Sequence, residues 1–251
     1  MKLLYGEKMT EMPIKLENTT RYHVPCVILL DKSGSMDGAP INALNDALKE
    51  FKGKFERDNE DHSVIDICII AFGGKGNGSV PDIETLQNFA PANEMFYNKP
   101  LIAFGGTPMA QAVETGLKEI TRIKKEYQDN AVDYYRPWLV CITDGVSTEE
   151  PGYINSVKNS LEKATKGKHV IPYGIGVGDE CNYKKLYEFF GESHTFKLDD
   201  VRNVGKFADF FEFLSNSMTA KSESNGEEAT MPPAVDKDGN QILEPVKFSA
   251  S

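Results

Sequence analysis

The sequence predicts an α/β fold with a doubly wound, mostly parallel sheet that is flanked by helices on both faces. Short apolar runs of strand length, at residues 24–30 and 65–72, alternate with longer segments whose apolar residues recur at helical spacing. A run that is apolar at every position is typical of a strand buried on both faces of a parallel sheet. Because parallel strands joined by helices cross over with a right-handed sense, this alternation predicts one layered domain.

The first half of the chain is predicted to form three strands and two helices. The first strand ends at Asp31, and a helix opens near Asp37 with apolar residues at positions 41, 44, 48, 51 and 55. A strand over residues 64–72 is followed by a glycine-rich turn at 73–79, which predicts a hairpin and a short antiparallel edge strand near 80–89. Thr107 is predicted to cap the next helix, which has Pro108 in its first turn and runs to about Tyr127.

The second half of the chain repeats this pattern. A strand over 138–143 ends before Asp144, and a helix at 153–165, a strand at 169–177, a helix at 183–190 and a short strand at 195–198 follow. The last helix has one apolar stripe, which predicts packing against the sheet rather than a partner groove. The stripe consists of Val204, Phe207, Phe210, Phe211, Leu214 and Met218. We expect the strand order 3-2-1-4-5-6, with one antiparallel edge strand.

The 251 residues are predicted to form one domain with two appendages. Residues 1–20 are an N-terminal extension, residues 21–222 the domain, and residues 223–251 a flexible C-terminal tail. The tail is rich in Ser, Glu, Asn and Pro and has too little apolar surface to order itself, apart from a short run at 242–248 that is a candidate for docking.

Composition excludes several classes of function. The net charge of −10 and the pI of about 5.0 argue against binding to nucleic acid or to anionic membranes, which requires a basic face. The longest apolar runs are much shorter than the roughly 20 residues of a membrane-spanning helix. Residues 1–15 lack the apolar core and cleavage site of a secretory signal, so we expect a cytoplasmic protein.

The four cysteines stand far apart in the sequence. Cys26, Cys68, Cys141 and Cys181 form no C-x-x-C pair, and three of them lie inside apolar strand-like runs. Buried reduced thiols are therefore predicted, because disulfides are rare in the cytosol. The four histidines are also isolated, which argues against a zinc site.

Oxygen-bearing side chains follow two of the predicted strands at the point where each strand ends. Ligands of an open parallel sheet bind beyond the carboxyl ends of the strands, where the strand order reverses. In the predicted order this crevice lies between the strands that end at Asp31 and before Asp144. Asp31, Ser33 and Ser35 form an Asp-x-Ser-x-Ser sequence, in which Gly34 allows a tight turn that aims both hydroxyls inward.

The resulting oxygen set predicts a bound divalent cation. Thr107, after two glycines, is expected to add a third hydroxyl, and Asp144 a second carboxylate, directly or through water. Such a set suits Mg²⁺, with Mn²⁺ or Ca²⁺ as substitutes. Neutral hydroxyls leave much of the ion's charge uncompensated, so an Asp or Glu of a protein partner is the expected outside ligand. Each motif alone is explained by helix capping or by a turn, and only their common position favours the metal.

Three separated motifs resemble the von Willebrand factor A (VWA) family and its metal-ion-dependent adhesion site. They are Leu-Leu-Asp-Lys-Ser-Gly-Ser-Met at 29–36, Gly-Gly-Thr at 105–107 and Cys-Ile-Thr-Asp-Gly at 141–145, within residues 22–222. The resemblance implies a Rossmann-like fold and a non-enzymatic function. It also implies that Ser33, Ser35 and Thr107 ligate Mg²⁺, while Asp31 and Asp144 contribute directly or through water.

Within that family, the stretch at 33–41 and the Pro-Trp pair at 137–138 look like the bacterial tellurite-resistance TerY-type branch. This resemblance implies a stress-response or tellurite-resistance-type system, with a kinase or a phosphatase as the partner. Lys32 stands where the family often has a small residue or Thr. Its side chain is expected either to point away from the ion or, if it lies nearby, to weaken metal binding or attract the partner's acid.

Two alternatives remain beside metal-dependent partner binding. One is a structural or regulatory module whose metal only stabilises the loops. The other is a phosphotransferase of the haloacid dehalogenase type. Those enzymes have a second carboxylate at the position of Ser33, so the serine argues against this class. The glycine-rich segments at 73–79 and 174–178 lack the spacing of nucleotide-binding motifs, and the sequence has no G-x-S-x-G nucleophile elbow.

Overall fold

The computed structural model describes residues 16–57, 64–74, 82–94, 99–179, 181–198, 205–223, 241 and 243–245. Its strands are β1 (Val24–Asp31), β2 (Ile65–Phe72), β3 (Ile83–Pro91), β4 (Trp138–Thr143), β5 (Ile171–Val177), β6 (Thr195–Leu198) and β7 (Leu243–Pro245). Its α-helices are α1 (Ala39–Arg57), α2 (Met109–Asp129), α3 (Pro151–Lys166), α4 (Tyr183–Phe190) and α5 (Gly205–Glu223). Short 3₁₀ turns lie at Gly34–Met36, Ala92–Glu94 and Glu192–His194.

The strands form one sheet in the order β3-β2-β1-β4-β5-β6-β7. The predicted order 3-2-1-4-5-6 is confirmed, with β1 parallel to both β2 and β4 and with β3 antiparallel at one edge. The structure adds β7, which pairs antiparallel with β6 at the other edge. This strand lies in the segment predicted as a tail, inside the apolar run at 242–248. The turn predicted at 73–79 falls mostly outside the described residues.

Helices cover the sheet on both faces, and β1, β2 and β4 are therefore buried at every position. Helices α1 and α5 pack on one face, and α2, α3 and α4 on the other. The apolar stripe of α5 is buried as predicted, with the Phe211 ring 4.9 Å from that of Phe51 on α1. Val204 of that stripe lies outside the described residues.

All four cysteines are free and buried, as predicted. Burial raises the pKa of each thiol, so the thiols stay protonated. None of the described helices combines the length and the apolar character that crossing a bilayer requires. The domain limits at residues 20 and 222 stay a prediction.

A buried polar cluster lies at the amino ends of β1 and β2. The Tyr127 hydroxyl donates to Asp66 Oδ2 at 2.6 Å, and His23 Nδ1 lies 2.6 Å from the same oxygen. His23 and Asp66 are both fully buried in the structure. The sequence did not predict this cluster, because its members belong to three elements and are far apart in the chain.

Candidate metal centre

Three loops meet at the carboxyl ends of β1 and β4. The loop before α2 lies against the residues that follow β1: the Phe104 amide donates to the Lys32 carbonyl, and the Gly34 amide to the Gly105 carbonyl, both at 2.9 Å. Gly105 has a φ of +75°, and a Cβ at this position would lie 2.0 Å from the carbonyl oxygen of Gly74. Only glycine permits both this backbone conformation and this close approach.

The carboxylate of Asp31 is fully buried at the base of the site. Its Oδ1 accepts the Ser33 amide at 2.7 Å, and its Oδ2 accepts the Thr143 hydroxyl at 2.5 Å. Burial raises the pKa of Asp31 to about 6, although the hydrogen bonds from Thr143 and Ser33 act in the opposite direction. The negative charge of Asp144 raises this pKa further.

The predicted oxygens of Ser33, Ser35 and Asp144 form a continuous row. The hydroxyls of Ser33 and Ser35 lie 3.1 Å apart, and the Ser35 hydroxyl donates to Asp144 Oδ1 at 2.7 Å. Ser35 is exposed and Asp144 is partly buried, so the row opens to solvent at this end. Burial raises the pKa of Asp144, and the hydrogen bond from Ser35 partly offsets that effect.

Thr107 lies beside the same row. A Cβ built on Gly145 would lie 3.0 Å from Thr107 Oγ1 and 3.7 Å from Ser35 Oγ, so both hydroxyls border the space above Gly145. The prediction that Thr107 caps α2 is wrong, because the residue at the cap position is Pro108 and no side-chain hydrogen bond caps the helix from there. The Thr107 hydroxyl is therefore not used as a helix cap.

Glu149 performs the capping instead, from the loop after β4. Its carboxylate accepts the amides of Ala110 and Gln111 at 2.7 and 2.8 Å, and it also accepts the Ser147 hydroxyl at 2.5 Å. Carboxylates are favourable at the positive end of a helix. The adjacent Thr148 accepts the Thr107 amide through its hydroxyl and donates its own amide to the Thr107 carbonyl, both at 3.0 Å.

We call Thr148 and Glu149 the β4 clamp, because together they hold the backbone of Thr107 and the first turn of α2. Sequence analysis did not identify the clamp or Thr143. Glu149 lies 39 residues from the amide of Ala110 that it accepts, a separation that no local capping pattern shows. Thr143 stands inside a quoted motif, yet only the structure shows its hydrogen bond to Asp31.

Lys32 points away from the oxygen row. Its side chain is only 7% exposed and its ammonium donates to Glu84 on β3 at 2.9 Å. Glu84 lies on the edge strand beside β2, so the lysine charge is paired on the far side of the β1 end. Of the two expectations for Lys32, the structure shows the first.

The donor set fits a small, hard cation. Mg²⁺ binds oxygens at 2.0–2.1 Å in octahedral geometry, which places adjacent ligands about 2.9 Å apart. The distances of 3.1 and 2.7 Å along the row lie on either side of that value. Within the described residues, no group of three or more His, Cys, Asp or Glu side chains is placed to hold a metal.

Comparisons with known proteins agree with this architecture. The model of the von Willebrand factor type A domain matches residues 26–210. A search of curated protein sequences finds no significant match. Among solved structures, a von Willebrand factor type A protein from Catenulispora acidiphila is similar at a TM-score of 0.57 and 15% identity, over 79% of this chain and 43% of that one.

Two pilus proteins also share the fold. The pilus adhesin SpaC from Lactobacillus rhamnosus GG matches with a TM-score of 0.60 and 12% identity, over 80% of this chain and 31% of that one. The vWF domain of the type V pili tip protein Mfa5 from Porphyromonas gingivalis matches with a TM-score of 0.51 and 10% identity, over 83% of this chain and 99% of that one. This chain thus spans less than half the length of the Catenulispora protein and of SpaC. Together with the sheet order, the match over residues 26–210 shows that the chain belongs to the von Willebrand factor type A domain family.

Proposed function

We propose that this protein is a Mg²⁺-dependent protein-binding module. VWA domains often mediate protein interactions and metal-dependent adhesion, and the continuous oxygen row of Ser33, Ser35 and Asp144 is the observation that supports this function here. Mn²⁺ has nearly the same size requirements as Mg²⁺. Ca²⁺ binds oxygen at 2.3–2.6 Å and would need adjacent ligands about 3.4 Å apart, so it fits this row less well.

We assign direct ligation to the hydroxyls of Ser33, Ser35 and Thr107. Both carboxylate oxygens of Asp31 already accept hydrogen bonds in a buried position, which suits a role through water or through the serines. Asp144 is more open and holds Ser35 in place. When bound, the ion supplies positive charge that an external carboxylate can neutralise.

The proposed partner is a protein that brings an Asp or Glu to this edge. Because the assigned direct ligands are three neutral hydroxyls, with the fully buried carboxylate of Asp31 behind them, an anion from outside can bind the ion directly, and such contacts are charge-assisted. The exposure of Ser35 leaves the approach to the row open. We further propose that the protein is not an enzyme, because among the described residues no additional acid or nucleophile contacts the row.

The biological setting is proposed on resemblance alone. The TerY-type motifs support a bacterial stress-response or tellurite-resistance-type system, with a kinase or phosphatase as the partner, and we propose a cytoplasmic location. The fold does not assign a pathway.

We propose that the metal does more than stabilise the loops. The three loops are already joined by hydrogen bonds at Lys32, Gly34 and Thr107, and the β4 clamp adds a cap to α2. These hydrogen bonds support a role for the ion beyond holding the loops in place. The ion is more useful for an external contact.

Calorimetric titration with Mg²⁺ and a pull-down from native extract test the proposal together. We expect Ser35→Ala to weaken Mg²⁺ binding about tenfold or more and to release the same partner that a chelator releases, because one ligand and the link to Asp144 are lost. Ser160→Ala is the matched control, since Ser160 is an exposed serine on α3. Wild-type protein that binds no Mg²⁺ at millimolar concentration would refute the metal site.

An unchanged complex in chelator would refute the adhesion mechanism while leaving the metal site intact. Asp31→Ala gives a second, more severe variant. Asp31 is buried and accepts a hydrogen bond from Thr143, so the unfolding free energy of this variant has to be measured alongside its Mg²⁺ binding. Loss of binding in Asp31→Ala supports the proposal only if the variant remains folded.

A further inference from the structure

A cavity of about 600 Å³ lies between α2 and the end of α3, away from the oxygen row. Residues from the second half of α2, from the end of α3 and from the two positions directly before β5 line it. Because β5 runs parallel to β4, its first residue lies at the opposite edge of the sheet from Asp144, which follows β4. The volume is within the range of roughly 300–1,000 Å³ that is typical of small-molecule sites.

Part of the cavity lining is aliphatic. It consists of Leu117 and Ile120 on α2, Ala164 on α3 and Val170 before β5. Ile120 and Val170 are buried, and the two other side chains are partly buried and pack against the same core cluster. The lining therefore offers an apolar surface, fixed by the core, that the body of a ligand can cover.

Lys124 supplies an uncompensated positive charge to the lining. Its ammonium lies 5.9 Å from the centre of the Tyr134 ring, and no carboxylate among the described residues pairs with it. Burial lowers the pKa of Lys124, which shows that the ammonium is partly removed from water. The two other charged residues of the lining, Lys125 and Asp129, form an ion pair with each other. A lysine side chain is flexible, so this ammonium can turn from the ring to a ligand.

The surroundings of the cavity favour a ligand with a single negative charge. Both helices end at this edge, and their last carbonyls oppose an anion, as does the carboxylate of Asp129. The guanidinium of Arg136 offsets part of this effect, since it donates to the carbonyls of Thr165 at 2.7 Å and Val170 at 3.0 Å. The exposed imidazole of His169, which also lines the cavity, makes no hydrogen bond to another described residue.

We propose that this cavity binds a small aliphatic monocarboxylate, whose carboxylate pairs with Lys124 and whose chain covers the aliphatic lining. A neutral molecule of the same shape would leave the ammonium without a counter-ion. A phosphate would bring a second negative charge close to Asp129 and the helix ends. The cavity and the oxygen row share no residue, so this site does not depend on the proposed function.

Octanoate, butyrate and octan-1-ol test the proposal on the full chain. Binding is followed by NMR with labelled isoleucine, leucine and valine methyl groups, in chelator, so that no carboxylate can bind through a divalent ion. We expect octanoate to bind about tenfold more tightly than butyrate, because its four additional methylene groups are partly buried. It should also bind about tenfold more tightly than octan-1-ol, which has no charge for the ammonium.

A lysine variant measures the contribution of the charge. Lys124→Met retains most of the aliphatic part of the side chain, so it should weaken octanoate binding about tenfold and leave octan-1-ol binding unchanged. Lys118→Met is the matched control on the same helix, because Lys118 is exposed, pairs with Glu114 and does not line the cavity. It should leave the affinity for octanoate unchanged.

A second variant fills the cavity. Thr121 lines it from an exposed position on α2, so Thr121→Trp should abolish binding of both octanoate and octan-1-ol. Thr115→Trp is the control, because both threonines donate their hydroxyl to the carbonyl four residues earlier but only Thr121 lines the cavity. Denaturant unfolding of all four variants checks that each remains folded.

The outcomes separate this site from the metal edge. Octanoate that binds no more tightly than octan-1-ol, or that loses equal affinity in Lys124→Met and Lys118→Met, would overturn the proposal. Octanoate binding that requires Mg²⁺ and disappears in chelator would place the carboxylate at the oxygen row instead, and would also overturn it. Binding in chelator by a protein that takes up no Mg²⁺ would support the cavity and refute the proposed function.

Discussion

Asp31 at the buried base of the site and Asp144 at the open end of the oxygen row both have a raised pKa. Burial is the largest cause for each, because it disfavours the charged form. A divalent cation has the opposite effect, since it stabilises the charged carboxylates. Protons and metal ions therefore compete for this pair of residues.

This competition predicts a pH dependence of metal binding. Asp31, with a pKa of about 6, takes up a proton as the pH falls below that value, and Asp144 shifts in the same direction. Mg²⁺ affinity should be constant well above pH 6 and should fall by up to about tenfold per pH unit below it. Titration calorimetry at several pH values measures this change. Affinity that is independent of pH down to about pH 4.5 would contradict the assignment.

The same pKa predicts the opposite trend for stability without metal. Between the ordinary pKa of Asp, 3.8, and the raised value of about 6, the folded state binds more protons than the unfolded state. Stability in chelator should therefore decrease as the pH rises through this window. Denaturant unfolding in chelator measures it, and Asp31→Asn should flatten this part of the curve.

Lys32 provides a test of charge near the site. Its ammonium is paired with Glu84 and points away from the row, so Lys32→Met should change Mg²⁺ affinity by less than about threefold. Stability should fall by about 1 kcal/mol, because the aliphatic part of the side chain is retained and only the ion pair is lost. Glu84→Gln is the reciprocal variant. A tenfold gain in Mg²⁺ affinity would show that the lysine charge reaches the ion.

At the scale of elements, the β4 clamp connects the loop after β4 to the start of α2. Glu149→Gln retains the shape of the side chain but loses the charge that accepts two amides of the first turn. We expect a loss of about 1 kcal/mol in unfolding free energy and weaker Mg²⁺ binding, since Thr107 is less firmly held. Chemical denaturation and calorimetry measure the two effects.

Glu150→Gln is the matched control for the clamp. Glu150 is exposed and makes no side-chain hydrogen bond at the start of α3, so its charge change leaves the clamp intact. Equal effects of the two variants would mean that net charge, rather than the clamp, governs metal binding. The position of Thr107 would then not depend on Glu149.

The strands, the helices and their order could be predicted because buried positions are apolar and recur at the regular spacing of a strand or a helix. Asp31, Ser33 and Ser35 could be predicted as neighbours because they follow one strand directly, and Asp144 because it follows the adjacent strand. The capping of α2 could not be predicted. Thr107 matches the local pattern of a helix cap, but the residue that accepts the helix amides, Glu149, lies on a loop far away in the sequence. Contacts set by tertiary packing leave no signal at fixed spacing.

At the scale of the whole molecule, β1 joins two polar sites at opposite edges of the sheet. The strand begins beside the buried cluster of His23, Asp66 and Tyr127 and ends at Asp31. Its eight residues span about 23 Å between the first and last Cα atoms. At such a distance two unit charges interact by only about 0.7 kcal/mol at an effective dielectric constant of about 20. We therefore assign stability to the buried cluster and metal binding to the opposite edge.

Substitution of Asp66 tests this separation of the two edges. Asp66→Ala leaves the Tyr127 hydroxyl and His23 Nδ1 buried without their shared acceptor, so unfolding free energy should fall by about 3 kcal/mol. Tyr127→Phe removes one hydrogen bond and should cost only about 1 kcal/mol. In both variants, Mg²⁺ affinity measured on folded protein should stay within about twofold of wild type, because the oxygen row is unchanged. A loss of affinity that follows the loss of stability across the two variants would instead show that the sheet transmits strain from the buried cluster to the metal edge.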